Sequence, residues 1–234
     1  MTKPLIHRLF CLALCLASFA VRAETWQTVL SQMPLGANVA ELDRTNCVKL
    51  MLPALQSNDV VKALIFMPGA TDEFYFHRRG RASLTNAAPT LLDAVNALTN
   101  QTLIRATFRR PLLLLHTDED PLEPLILIKN VETANRLEGK RFLPHVIFND
   151  RDYDFLLPIL RKTLGLTFSP PLHSYASFHF YRHSFAAWNL NGWEALQAIA
   201  FAGKTKFTIE QRHVIFEGDT RIMTTPGVNF HAAP

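Results

Sequence analysis

The chain is expected to fold as an α+β protein made of two tandem small βαββαβ(β) units, with helices packed on short mixed sheets. Three observations predict this. The stretch from Thr90 to Asp118 is echoed, at an offset of 101 residues, by the stretch from Asn191 to Asp219. Each copy opens on a helix-start signal, Thr90 with Asp93 three residues on and Asn191 with Glu194 three residues on; such a pair can satisfy the orphan N–H groups of a first helical turn. In each copy the apolar period then changes from helical to alternating, the mark of a helix followed by a hairpin.

Residues 1–23 read as a secretory leader: Lys3 and Arg8 precede an apolar run from Leu9 to Val21, and Val21-Arg22-Ala23 supplies a cleavage pattern with the cut after Ala23. The run is short for a bilayer span. Lys3, Arg8 and Arg22 lie in the leader, which leaves 21 of the 24 basic residues against 20 acidic ones. The positive charge that would favour nucleic acid is therefore largely lost on processing, because counterion release needs clustered excess cations. Cys11 and Cys15 leave as well, so Cys47 is alone and no intramolecular disulfide is available; a small buried residue is the expected role, with intermolecular pairing as the alternative.

The first unit is expected over residues 24–120. "ANVAEL" offers an opening strand, "LPAL" at Leu52 belongs to a helix, and "ALIFMP" is a strand. "EFYFHRR" is read as a further strand by its likeness to "SFHFYRH" in the second copy. Leu92, Val95 and Leu98 form one apolar helical stripe, and Ile104, Ala106 and Phe108 then alternate with Arg105, Thr107 and Arg109 before "RRP" turns the chain into "LLLLH". That hairpin is expected to have one wet and one buried face. A linker follows over residues 121–142, where "LILIKNV" either packs as an extra strand or swings freely.

The second unit spans residues 143–220. "HVIFND" is a strand, "DFLLPILRKTLG" a helix and "LTFSP" a strand; Trp193, Leu196 and Ile199 mark a helix with one buried face, and "TKFTIEQRHVIFE" closes as a hairpin. Pro53 and Pro158 hold the same place in the first helix of each unit, so each helix either starts near its proline or is kinked there. Residues 221–234 are expected to be a tail ordered, if at all, by a partner.

The run from His145 to Asp219 resembles the short N-terminal periplasmic modules of secretins and TonB-dependent receptors. There a strand and a helix ending in a "tGL"-like turn are followed by a strand, a "W-x-x-A-L" helix and a closing strand pair. Here these features are similar to Thr163-Leu164-Gly165-Leu166 and Trp193-Glu194-Ala195-Leu196. The resemblance covers the second unit, and the first only through the repeat. No series of barrel strands follows Phe216. It therefore implies a free-standing pair of modules that bind protein in the envelope rather than form a pore.

No nucleophile elbow, Walker loop, dinucleotide fingerprint or zinc-protease motif occurs, and no catalytic residue, metal or cofactor is expected. His179 and His183 lie in a strand-like run, where positions four apart are about 13 Å apart, too far for one metal ion. Asp118, Glu119, Asp120 and Glu123 offer oxygen ligands without the glycine and spacing of a calcium loop, and read as a solvated acidic turn. The candidate binding residues, for protein or an anion, are Phe74, Tyr75, Phe76, Arg78, Arg79 and Arg81 in the first copy, with Phe178, Phe180 and Tyr181 in the second. The expected function is non-catalytic docking in a secreted or periplasmic setting, onto an envelope protein or another copy of the chain, with no nucleic acid and no integral membrane segment after processing. The alternative is a hydrolase or other enzyme whose site assembles only in three dimensions.

Overall fold

The computed structural model describes residues 25–36, 39–43, 46–56, 58–76, 81–139, 145–151, 153–169 and 183–219, and the fold is mixed α+β. In chain order the elements are α1 (Trp26–Ser31), β1 (Glu41–Leu42), α2 (Cys47–Leu55), β2 (Ala63–Phe66), α3 (Pro68–Phe76), β3 (Ala82–Ser83), α4 (Leu91–Gln101), β4 (Arg105–Arg109) and β5 (Leu112–His116). Then come β6 (Ile126–Ile128), α5 (Val131–Gly139), β7 (His145–Arg151), α6 (Tyr153–Leu164), β8 (Thr167–Ser169), β9 (His183–Trp188), α7 (Gly192–Gly203), β10 (Thr205–Glu210) and β11 (His213–Gly218). Among the described residues no helix is long and apolar enough to cross a membrane.

A five-stranded sheet in the order β4-β5-β2-β9-β7 lies at the centre, and a four-stranded sheet in the order β6-β10-β11-β8 lies beside it. The two sequence stretches share pairing rules. β2 runs parallel to β5, which pairs antiparallel with β4; β8 runs parallel to β11, which pairs antiparallel with β10. β1 and β3 form a separate antiparallel pair, and β7 pairs antiparallel with β9 within the central sheet. The central sheet nevertheless draws strands from both stretches, because β9 pairs antiparallel with β2.

That junction explains why the central strands are apolar on both faces. Leu64, Phe66, Leu113, Leu115 and Ala186 face one core, filled by α1, α2 and α4. Ala63, Ile65, Leu112, Leu114, Phe185 and Ala187 face another, filled by α5, α6 and α7 and closed by the four-stranded sheet. The expected wet face of the first hairpin is therefore corrected for β5, all five of whose residues are buried. "LLLL" is the unbroken apolar run that a doubly covered strand needs. β11 keeps the expected alternation, with Val214 and Phe216 inside.

Both predicted helix starts form, with reciprocal bonds between Thr90 and Asp93 and between Asn191 and Glu194. α4 buries one stripe, Leu91, Ala94, Val95 and Leu98. α7 departs from the one-face expectation: Ala195, Leu196, Ala198, Ile199, Ala200, Phe201 and Ala202 are all buried. From Ala198 to Ala202 every residue is apolar and buried, as an interior helical turn requires, and the small residues there suit close approach. A Cβ on Gly192 would meet Leu137 Cδ2 at 2.8 Å and Leu164 Cδ2 at 3.0 Å, so α5 and α6 crowd the helix where it begins.

Pro53 and Pro158 fall inside α2 and α6, so neither helix starts at its proline. Cys47 is buried, as expected of a small interior residue, and burial raises its thiol pKa far above the ordinary value, which disfavours the thiolate. Residues 121–142 do not all remain linker: β6 packs parallel to β10, and α5 follows it. The "EFYFHRR" strand is also corrected, because Phe74, Tyr75 and Phe76 end helix α3. Pro68 opens that helix with a fixed φ, and Thr71 N–H donates to the Met67 carbonyl at 3.0 Å. Three consecutive aromatics set no strand period against that start.

Candidate functional site

An exposed apolar edge is built where the chain leaves the first hairpin. Pro121 and Pro124 favour an extended approach without offering N–H donors, and the β-branched Ile126 and Ile128 favour a strand. Asn130 then ends it, its side chain accepting from Thr133 N–H at 2.8 Å as α5 begins. Two backbone bonds fix the register: Phe207 N–H donates to the Leu125 carbonyl at 3.0 Å, and Lys129 N–H donates to the Ile209 carbonyl at 2.9 Å. Residues 125, 127 and 129 thus turn their peptide groups toward β10. In a parallel ladder the alternate residues, Ile126 and Ile128, then point theirs away from the sheet.

β6 is the outermost strand of its sheet, with no further strand paired to it among the described residues. Its burial is uneven, with Ile126 partly buried and both Leu127 and Ile128 exposed. Ile126 packs on the inner core, whereas Leu125 and Leu127 stand 41% and 45% exposed, with Leu122 and Ile128 at 45% and Val131 at 66%. Five large apolar residues in ten positions, on an unpaired edge, are what monomeric proteins ordinarily blunt with charge. The charges sit only at the ends: Glu123 lies 2.9 Å from Arg109 Nε, and Lys129 pairs with Glu210 across to β10.

Of the residues expected to bind, Phe74, Tyr75, Phe76 and Arg81 lie among the described residues, on two separate segments. Arg81 is exposed and lies 3.5 Å from Glu41, beside the β1–β3 pair. Phe74, Tyr75 and Phe76 are helical. Arg78, Arg79, Phe178, Phe180 and Tyr181 lie outside the described residues, as does His179, while His183 opens β9. The acidic turn is engaged in ion pairs. Asp118 lies 2.9 Å from Lys204 Nζ, and Asp120 lies 3.0 Å from Arg109.

Several polar residues are buried in the fold, and His116 is the least exposed of those described. His116, at the end of β5, shares a hydrogen bond of 2.8 Å with the Thr107 hydroxyl through Nε2, and its Nδ1 lies 3.0 Å from the Asp118 carbonyl. A hydroxyl, an imidazole and an orienting acceptor in series have the form of an activated nucleophile. But His116 is only 1% exposed, and burial lowers its pKa. The arrangement reads as a satisfied interior histidine that ties β4 to β5. Nearby, burial raises the pKa of Asp72 while Lys204 opposes the shift. Among the described residues no three His, Cys, Asp or Glu side chains gather as a metal-binding group.

A shallow polar groove of about 200 Å³ lies between the segment after β3 and α4, lined in part by Asn86, Asn96, Asn100 and Gln101. Gln101 there bonds both the N–H and the carbonyl of Ser83, at 2.9 Å each. The side chain takes the place of a neighbouring strand at that point. The edge of β3 is thereby covered, while no strand among the described residues pairs with the edge of β6.

The sequence reasoning missed β6 as a surface. The signal was "LILI" between Pro124 and Lys129, a strand-length apolar run outside either copy of the repeat. No protein-family model, curated protein or solved structure matches the chain.

Proposed function

We propose that the chain is a non-catalytic docking module of the cell envelope, secreted or periplasmic, related in pattern to the N-terminal modules of secretins and TonB-dependent receptors. The observation that carries this reading is the apolar edge β6, unpaired among the described residues, with Leu125, Leu127 and Ile128 exposed on or beside it. A strand with free peptide groups and alternating apolar side chains takes another strand by β-augmentation: backbone bonds supply affinity, and the side chains supply choice of partner. The order of elements from β7 to β11, strand, helix, strand, strand, helix and hairpin, supports the family reading together with Trp193-Glu194-Ala195-Leu196 at the start of α7.

The test is crosslinking of the processed chain in envelope extracts with a photoreactive residue at position 127 and, as a control, at exposed position 103. A discrete adduct from 127 that is absent from 103, and that Leu125→Lys abolishes, is the expected result. Equal labelling from both positions, or none, defeats the reading. The enzyme reading has the Thr107–His116 contact as its one geometric support; a hydrolytic activity abolished by Thr107→Val would establish it.

A further inference from the structure

We propose that the partner of the β6 edge is a second copy of this chain, paired antiparallel about a two-fold axis that passes beside Ile126. This inference rests on the docking reading and specifies its partner. The strand is self-complementary in charge. With Ile126 opposite Ile126 of the second copy, Glu123 falls opposite its Lys129, Leu125 opposite its Leu127, and Lys129 opposite its Glu123. Glu123, Leu125, Leu127 and Lys129 are all exposed; of the residues between them Pro124 and Ile126 are half-buried and Ile128 is exposed, and strand alternation sets the two groups on opposite faces. The matched residues therefore lie on one face, where cross-strand pairs meet.

The backbone agrees with this register. The outward N–H and carbonyl of Ile126 exchange two bonds with the same groups of the second copy, and each Ile128 N–H reaches a Pro124 carbonyl. Pro124 has no N–H to give, so the ladder stops there and cannot slide far. A parallel arrangement would instead set Glu123 beside Glu123 and Lys129 beside Lys129. The charges already present extend into a row of alternating sign, Arg109, Glu123, Lys129 of the second copy and its Glu210. The result is a continuous eight-stranded sheet. The contact is isologous and closes on itself, so it consumes the β6 edge of both chains.

The test measures the mass of the purified processed chain by sedimentation across a concentration series, with circular dichroism to confirm folding of each variant. Wild type is expected to reach twice the monomer mass. Lys129→Glu sets two like-charge pairs across the axis and should weaken association about tenfold or more, and the double swap Glu123→Lys with Lys129→Glu should recover it. Ile128→Pro removes a peptide N–H that points away from β10, so it should give a folded monomer. A wild-type chain that stays monomeric throughout the series, or a double swap no tighter than the single change, overturns the self-pairing. Crosslinking from position 127 separates the two levels of the argument: adducts only to another protein overturn the second copy as partner and leave the docking reading standing, whereas no adduct of any kind overturns both.

Discussion

Helices α4 and α7 begin in the same way and serve different ends. Each opens on a capping box, each leads into an antiparallel hairpin, and Leu91 and Gly192 start them at equivalent places in the two stretches. α4 then lies on one side of the central sheet with its polar face in water, whereas α7 is enclosed by the central sheet, by α5 and by the four-stranded sheet. Local chemistry decides that a helix forms and where it starts. The layer in which it is placed decides which of its residues matter.

The sharpest way to break this comparison is at one equivalent position. Phe201 of α7 is 2% exposed, and its counterpart in α4 is Asn100, which is exposed. Phe201→Ala should cost about 3–5 kcal/mol of unfolding free energy. Asn100→Ala should stay within about 0.5 kcal/mol of wild type. Urea unfolding of the two variants checks this, and similar costs at both positions would mean that α7 is not enclosed as described.

The capping acids differ less, but in an informative direction. Asp93 binds Thr90 and Asn86, within its own segment. Glu194 caps Asn191 and also receives Lys62 Nζ at 3.0 and 3.2 Å, which joins α7 to the residue just before β2. Glu194→Ala should therefore cost about 1–2 kcal/mol more than Asp93→Ala, the margin expected for one further charged hydrogen bond. A double-mutant cycle with Lys62→Met should assign that margin to the pair. The neutral caps offer the control: Thr90→Ala and Asn191→Ala should each cost about 1 kcal/mol and differ little from one another.

How much of this was legible from the residues follows the same division. Both capping boxes, both hairpins and the helical stripe of α4 are local patterns, and they stand where the sequence places them. The doubly buried β5 was written as "LLLL", and the enclosure of α7 as "ALQAIAFAG"; each was read as half-exposed because its second neighbour comes from the other stretch. A long-range layer leaves no periodic trace beyond the loss of alternation. The aromatic run at Phe74–Phe76 misled for the opposite reason, since likeness to the second copy outweighed the helix start at Pro68. The β6 edge went unread as a surface because it lies outside both copies, where the repeat gave no guide.

The smallest expected effect compares β5 and β11 at their ends. His116 closes β5 in the interior, and the residue in its place on β11 is Glu217, exposed and 3.0 Å from Lys206. Burial holds the His116 imidazole below its ordinary value of 6.5; Arg105 and Lys204 act in the same sense, and Asp118 acts against it. As pH falls from about 6.5 toward the lower folded value, the unfolded chain takes up a proton that the folded chain does not yet bind. Stability should therefore fall with pH across that window and become flat below it. His116→Gln can still bond the Thr107 hydroxyl and carries no titrating group, so its unfolding free energy should lack this slope. Glu217→Gln, at the exposed equivalent, should leave the slope in place. If the His116→Gln chain keeps the wild-type pH dependence just below 6.5, the buried imidazole is not its source, and the interior placement of the end of β5 loses its chemical support.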